Sequence, residues 1–181
     1  MPLLRPPRAN CLSLVRMPAD PISNDELISA LVGDRERYFR ETPRVLPPEA
    51  IVVSGDLVQG VPLGVADHEA KLAEQYAVAE EFIDELVKRF LDGDRSRVVM
   101  VPGNHDIDWN TALKAMEVVD RKDAPANIFL MLHEENAGYR WDWKTLTLYR
   151  IREQAMYGRR LDAFWHIFER FYSGVTGLTQ T

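Results

Sequence analysis

The chain is short of several things, and each shortage removes a class of function. It has one cysteine, Cys11, in 181 residues, so it cannot form an internal disulfide, and a reducing, cytoplasmic setting is the default expectation. No apolar run approaches the ~20 residues of a membrane span. Near the N-terminus Arg5 and Arg8 are flanked by prolines, and the only nearby apolar stretch, Leu12 to Val15, is too short for a signal-peptide core. Positive charge is also scarce. Lys and Arg number 22 against 28 Asp and Glu, for a net charge of −6 and a pI near 5.3. That balance argues against a general nucleic-acid or anionic-membrane binder, although it leaves room for a local basic patch. There is no internal repeat, no low-complexity tract, and no glycine-rich phosphate loop of the G-x-G-x-x-G or Walker type. A nucleotide-binding βαβ domain is therefore a weak reading.

What is present is a globular composition, 46% hydrophobic and 28% charged, in a length that suits one domain or a piece of a larger one. Residues 1–22 carry prolines at 2, 6, 7, 18 and 21 and no periodic apolar pattern, so they read as a poorly ordered arm. The domain proper is expected over 23–181. Ser23 or Asn24 can cap a helix to about residue 40, with Asp25 and Glu26 in its first turn and Leu27, Leu31 and Tyr38 as its buried face. Pro43, Pro47 and Pro48 then break the chain before a strand at 50–54.

The longest periodic segment runs from about Asp67 to Leu91. Leu72, Tyr76, Ala79, Ile83, Leu86, Val87 and Phe90 recur on one helical face, and Gly93 is placed to stop the helix. With the apolar runs Ile51–Val53 and Val98–Val101 on either side, the pattern is βαβ. Both runs are continuously apolar, which predicts parallel strands covered on both faces. Beyond residue 106 the segment of about 110–181 is expected to be helical. One helix is expected near 110–119, a loop at 120–127, a short helix at 128–134 and a final helix from about Arg159 to Tyr172. That last helix would pack Leu161, Phe164, Trp165, Phe168 and Phe171 on one side. Tyr139–Trp143 is ambiguous, and the aromatic region from Tyr139 to Tyr172 is either a cap over a site or ordinary core.

The two strands of the βαβ unit end alike. Ile51-Val52-Val53-Ser54 runs into Gly55-Asp56, and Val98-Val99-Met100-Val101-Pro102 runs into Gly103-Asn104-His105-Asp106. Open α/β sheets place ligands beyond the carboxyl ends of their strands, so Asp56, Asn104 and His105 are expected to share one site. Asp56 can bind one metal ion or bridge two; alone it would read as a turn residue. Asn104 offers a neutral carbonyl oxygen. Histidine serves as a ligand or as a proton donor. Asp106 is expected to orient the His105 imidazole or hold it protonated.

These blocks resemble the second and third signature blocks of the calcineurin-like metallophosphoesterases, in particular the larger bacterial members. The forty-eight positions from Asp56 to Asn104 suit two adjacent strands joined by one long helix. The resemblance implies an α/β sandwich, of which this chain would hold a partial version. It also implies a site with two divalent metal ions (Mn, Fe, Zn or Ni) that hydrolyses a phosphomonoester or phosphodiester. Under it, Asp56 bridges both metals and Asn104 ligates one of them. His105 contacts the phosphate and assists the leaving group, and Asp106 is its partner. Two such ions stabilise both the attacking and the leaving oxygens. The family's first block, Asp-x-His, lies upstream of Gly-Asp, yet no histidine precedes His68. Its last blocks, a lone histidine and Gly-His-x-His, have no counterpart around His133 or His166. His68 reads as a helix-start residue exposed to solvent, and His133 as part of a polar segment with Glu134 and Glu135. His166 reads as an outward or packing position. The expectation is a truncated member of this family, with an unpaired strand edge and an uncovered apolar face. The competing reading is a non-catalytic interaction module, or an inactive fragment that keeps part of the fold.

Overall fold

The computed structural model describes residues 22–134 and 137–175. The proline-rich segment up to Pro21, with Cys11, lies outside the described residues, as do Glu135 and Asn136 and the last six residues.

Helix α1 (Asn24–Arg40) begins with a capping box. The Ser23 hydroxyl accepts from the Glu26 amide at 3.2 Å, and the Glu26 carboxylate accepts from the Ser23 amide at 2.9 Å. Its expected apolar face is not the buried one. Leu27, Leu31 and Tyr38 are exposed and Ile28 is the residue that packs. Among the described residues α1 rests on the rest of the protein through a narrow strip, where Arg35 lies over the Phe90 ring and donates to the Arg89 carbonyl.

Strand β1 (Ile51–Val53) pairs in parallel with β2 (Val98–Met100), in the register Ile51 to Val98 and Val53 to Met100. The helix between them, α2 (His68–Phe90), buries Leu72, Tyr76, Ile83 and Val87, one side of a 3.6-residue period. The periodicity places this helix to within a residue at each end. The last helix, α6 (Asp162–Phe171), lies on the same core with Phe164, Ile167 and Phe171. These side chains close over Val98 and Met100, with Ile51 and Val53 packed at the margin. One face of the parallel pair is therefore covered. On the other, Val52 is 69% exposed and Val99 53%, which corrects the expectation of strands covered on both faces. Both helices of the core sit on the side to which positions 51, 53, 98 and 100 point.

The second half is not the helical segment expected after residue 110. Helix α3 (Trp109–Lys114) stops early, and β3 (Met116–Val118) follows directly. A short 3-10 turn at Arg121–Asp123 and helix α4 (Ile128–Met131) lead to a hairpin of β4 (Tyr139–Asp142) and β5 (Thr147–Ile151). The three strands form an antiparallel sheet in the order β3-β5-β4. Helix α5 (Gln154–Gly158) and a 3-10 turn at Arg159–Leu161 return the chain to α6. The helix near 110–119 is thus cut short because Met116, Glu117 and Val118 satisfy their backbone across the sheet against Ile151, Arg150 and Tyr149. The aromatic region divides: Phe164 and Phe171 are core, while Trp143 is 80% exposed at the hairpin. The chain is a mixed helix and strand protein with a small parallel sheet and a small antiparallel sheet.

Candidate functional site

Parallel pairing sets the site. Val53 opposite Met100 brings both carboxyl ends to one edge, and the Val101 amide still donates to the Val53 carbonyl at 3.1 Å. Beyond that bond the two chains turn through interlocked glycines. Gly55 has φ +104°, and a Cβ there would lie 2.7 Å from the Gly103 backbone. A Cβ on Gly103 would fall 2.2 Å from Asp56 Oδ1 and 2.5 Å from the Asp56 amide nitrogen. Neither position has room for a side chain, which is the physical content of Gly in both motifs. Asp56 itself stands at φ +57°, a left-handed conformation that aspartate tolerates better than most residues. Its Oδ1 accepts the His105 amide at 3.0 Å.

Asp106 joins the two turns from beneath. It is 1% exposed. Its Oδ2 accepts from the Gly103 amide at 2.7 Å, the Asp56 amide at 2.8 Å and, at longer range, the Leu57 amide at 3.4 Å. Its Oδ1 accepts from the Tyr76 hydroxyl at 3.0 Å. These bonds correct the role expected for Asp106 as partner of the imidazole. Its side chain points into the core, where it ties α2 and both strand ends to one carboxylate. Burial, then the Asp106 charge and hydrogen bond, push the Tyr76 phenol far above the ordinary tyrosine range, so it remains a donor.

The His105 imidazole has a different partner. Nδ1 lies 2.9 Å from the Gln59 carbonyl oxygen, which can only accept, so this contact assigns the proton to Nδ1 and leaves Nε2 available. The Gln59 backbone is held in turn by α2. The Gln59 amide donates to Gln75 Oε1 at 2.9 Å, and Gln75 Nε2 donates to the Gly60 carbonyl at 3.2 Å. Asn104 is exposed, and its main-chain carbonyl accepts from Trp109 Nε1 at 3.2 Å.

Below this loop lies a polar cluster whose members did not stand out by spacing. Asp108 caps α3, its Oδ1 accepting from the Asn110 and Thr111 amides at 3.0 and 3.2 Å and its Oδ2 from the Thr111 hydroxyl at 2.6 Å. His68 Nδ1 lies 2.9 Å from the same Oδ2, close enough for an ion pair but off the angle of a hydrogen bond. The other ring nitrogen lies 3.1 Å from Lys114 Nζ. The expectation of a solvent-exposed His68 is thus corrected: it is 3% exposed and joins the start of α2 to that of α3. His133 is exposed, with Nδ1 against the Phe129 carbonyl at 2.6 Å. His166 is exposed on α6. Tyr76, Gln59 and Gln75 are the functional supports that sequence reasoning missed. Tyr76 was visible only as an apolar-face residue, and the two glutamines gave no signal.

The structure brings Asp56, His105 and Asp106 together by direct hydrogen bonds, with Asn104 between them in the chain. As a metal centre the set is incomplete. Among the described residues no three or more His, Cys, Asp or Glu side chains are grouped so as to hold an ion. A hard divalent ion takes about six oxygen or nitrogen ligands, and Asp56 and Asn104 supply one carboxylate and one amide. Those two side chains alone do not complete the coordination of an ion. Residues 30–170 match the family model described as calcineurin-like phosphoesterase. No curated protein and no solved structure matches the chain.

Proposed function

Because the chain belongs to the calcineurin-like phosphoesterase family, we propose that it takes part in metal-dependent hydrolysis of a phosphate ester, contributing one half of the site. The observation that carries this reading is the glycine interlock, which holds Asp56 against the Asn104-His105 turn with room for nothing larger than hydrogen at positions 55 and 103. Such a fit is what a preorganised site requires. Asp56 and Asn104 are the donors this chain would offer to the family's divalent ions. His105, with Nδ1–H directed at Gln59, presents Nε2 toward solvent-accessible space. When Nε2 carries a proton it can pass it to the departing alkoxide of a phosphate ester, general acid catalysis of the ordinary kind. The carbonyl on the far side of the ring fixes the tautomer throughout. Asp106 is proposed to act by holding the frame rather than by moving a proton.

The test is turnover of a phosphomonoester and a phosphodiester, with added Mn²⁺, by the purified chain and by a version extended at both ends to supply the rest of the site. Hydrolysis that disappears in Asp56→Asn and His105→Ala variants supports the reading. Hydrolysis that survives both overturns it. The shortage of grouped ligands among the described residues favours a second reading, a family member that keeps the fold as an interaction module without chemistry. Calorimetric titration separates the two, since tight binding of two Mn²⁺ per chain is incompatible with the second.

A further inference from the structure

Apart from the strand-end turns, three titratable side chains stand in a row that the phosphoesterase reading does not use. Asp108 comes first, buried and firmly held. Its main-chain amide donates to the Arg160 carbonyl at 2.8 Å, and its carboxylate caps α3. His68 comes second, buried at the start of α2, with Nδ1 2.9 Å from Asp108 Oδ2. Lys114 comes third, at the end of α3, with Nζ 3.1 Å from His68 Nε2. An ammonium can only donate, so Nε2 accepts, and the proton of the neutral imidazole is assigned to Nδ1, on the side of the carboxylate. Both neighbours thus select the same tautomer. The order is acid, imidazole, amine, in which a third group orients the base that serves a nucleophile.

Lys71, Lys88 and Lys122 stand 3.0, 2.7 and 3.8 Å from a carboxylate, whereas among the described residues no carboxylate lies within ion-pair reach of Lys114. Lys114 is also exposed, so a reagent reaches the amine while the imidazole behind it stays out of water. An amine that attacks an activated acyl carbon must shed a proton, and a base already within hydrogen-bond reach is placed to take it. We propose that Asp108, His68 and Lys114 form a relay that makes Lys114 a preferred site of acylation by an activated acyl group, carried as an acyl phosphate or an acyl thioester. Once the Lys114 ammonium has given one proton to solvent, Nζ forms a bond to the acyl carbon while His68 Nε2 takes a second proton from the nitrogen. The carbon–oxygen or carbon–sulfur bond then breaks, and phosphate or thiolate leaves with the electron pair. The imidazolium, held beside the Asp108 carboxylate, returns its proton to solvent or to the leaving group. The product is an uncharged amide in place of a cation. This inference stands independently of the phosphoesterase reading.

The experiment treats the full chain with acetyl phosphate and, separately, with acetyl-coenzyme A, and follows acetylation of each lysine by peptide mass spectrometry. Lys144, exposed at the hairpin, is the internal reference. Lys114 is expected to react about tenfold faster than Lys144 with at least one donor, a modest part of the roughly 10²–10⁴-fold that positioned proton transfer supplies. The donor that shows the preference identifies the source of the acyl group. In His68→Gln, which keeps an acceptor for Lys114 and removes the base, the ratio is expected to fall toward one in protein whose circular dichroism matches wild type. In deuterium oxide the wild-type ratio is expected to fall as well, because proton transfer to a fixed base contributes to the rate at Lys114 alone. Equal rates at the two lysines with both donors, a ratio that survives His68→Gln, or a ratio unchanged in deuterium oxide would each overturn the inference. The deuterium comparison uses wild-type protein only, so it decides the question even where His68→Gln does not fold.

Discussion

The sharpest consequence of the structure concerns Asp106. Replacing it by alanine would orphan the amides of Asp56 and Gly103, weaken the environment of the Leu57 amide, and leave the Tyr76 hydroxyl without its carboxylate. Hydrogen bonds to a charged acceptor contribute about 1.5–3 kcal/mol each, so losing two short amide bonds and one hydroxyl bond removes on the order of 5 kcal/mol. A small domain has only about 5–15 kcal/mol in total. Asp106→Ala should therefore be largely unfolded at room temperature. Asp106→Asn is more informative. Its single carbonyl can keep the amides while its NH₂ donates to the Tyr76 oxygen, so shape is retained and only the charge is lost. We expect a loss of about 1–3 kcal/mol, which lowers the urea midpoint by roughly 1 M for typical slopes. The assay is urea unfolding of metal-free, substrate-free protein followed by tryptophan fluorescence and circular dichroism. In a cycle with Tyr76→Phe the two losses should sum to less than additive, because the residues share a contact. A normal urea midpoint for Asp106→Asn would refute the structural role, and, coupled with lost turnover, would restore Asp106 as a partner of the imidazole.

Gly103→Ala should be among the most damaging single-methyl additions in the chain, about 2–4 kcal/mol, because the new Cβ would fall 2.2 Å from Asp56 Oδ1. Gly64→Ala, with φ +83° but nothing within 4 Å, should lose only the roughly 1–2 kcal/mol of left-handed strain; thermal melts of both, with equal losses counting against the interlock, check this. Tyr76→Phe should be less stable than wild type by about 1–2 kcal/mol at pH 7. The folded state raises the Tyr76 pKa, so its contribution is full below the unfolded tyrosine value of about 10 and declines as pH rises beyond it. Urea midpoints at pH 8 to 11 should consequently fall less steeply for Tyr76→Phe than for wild type, and parallel curves would contradict the assignment. His68→Ala should lose about 2–4 kcal/mol, a core-sized effect from a residue whose position at a helix start suggests the surface; a change below about 0.5 kcal/mol, typical of exposed sites, would show that the His68–Asp108 contact is unimportant.

How much of this was legible in the sequence depended on whether a signal was local. Helix α2 was readable because its apolar residues repeat over six turns, and the parallel pair because two β-branched runs flank it. The β4–β5 hairpin was not. Its turn has no Asn-Gly or Asp-Gly; it is built by Asp142, whose Oδ1 accepts the Lys144 amide at 2.8 Å, and by Leu146 at φ +53°, an unusual place for leucine. With the hairpin unseen, Met116–Val118 had no strand to pair with and read as the end of a helix. On α1, Leu27, Leu31 and Tyr38 formed a plausible stripe, yet Ile28 is the buried residue. A helix docked through a narrow strip need not bury the widest part of its apolar side.

At the site, the residue types were legible and their partners were not. Asn104, His105 and Asp106 are consecutive, and adjacency suggested that Asp106 would serve His105. But the turn after β2 must also receive the turn after β1, and the space between them is filled by backbone: Gly55 against Gly103, and Gly103 against Asp56. Backbone packed that closely leaves amides pointing inward with no carbonyl in reach, and buried amides need an acceptor. A carboxylate three residues beyond Gly103 is well placed to supply it, accepting from both turns at 2.7 and 2.8 Å. Once Asp106 is committed there, the imidazole must find its partner elsewhere, and the Gln59 carbonyl lies 2.9 Å away because Gln75 on α2 holds that loop in place. The motif's glycines thus explain the assignment of its acid. The same crowding that aims Asp56 and Asn104 outward is what draws Asp106 inward.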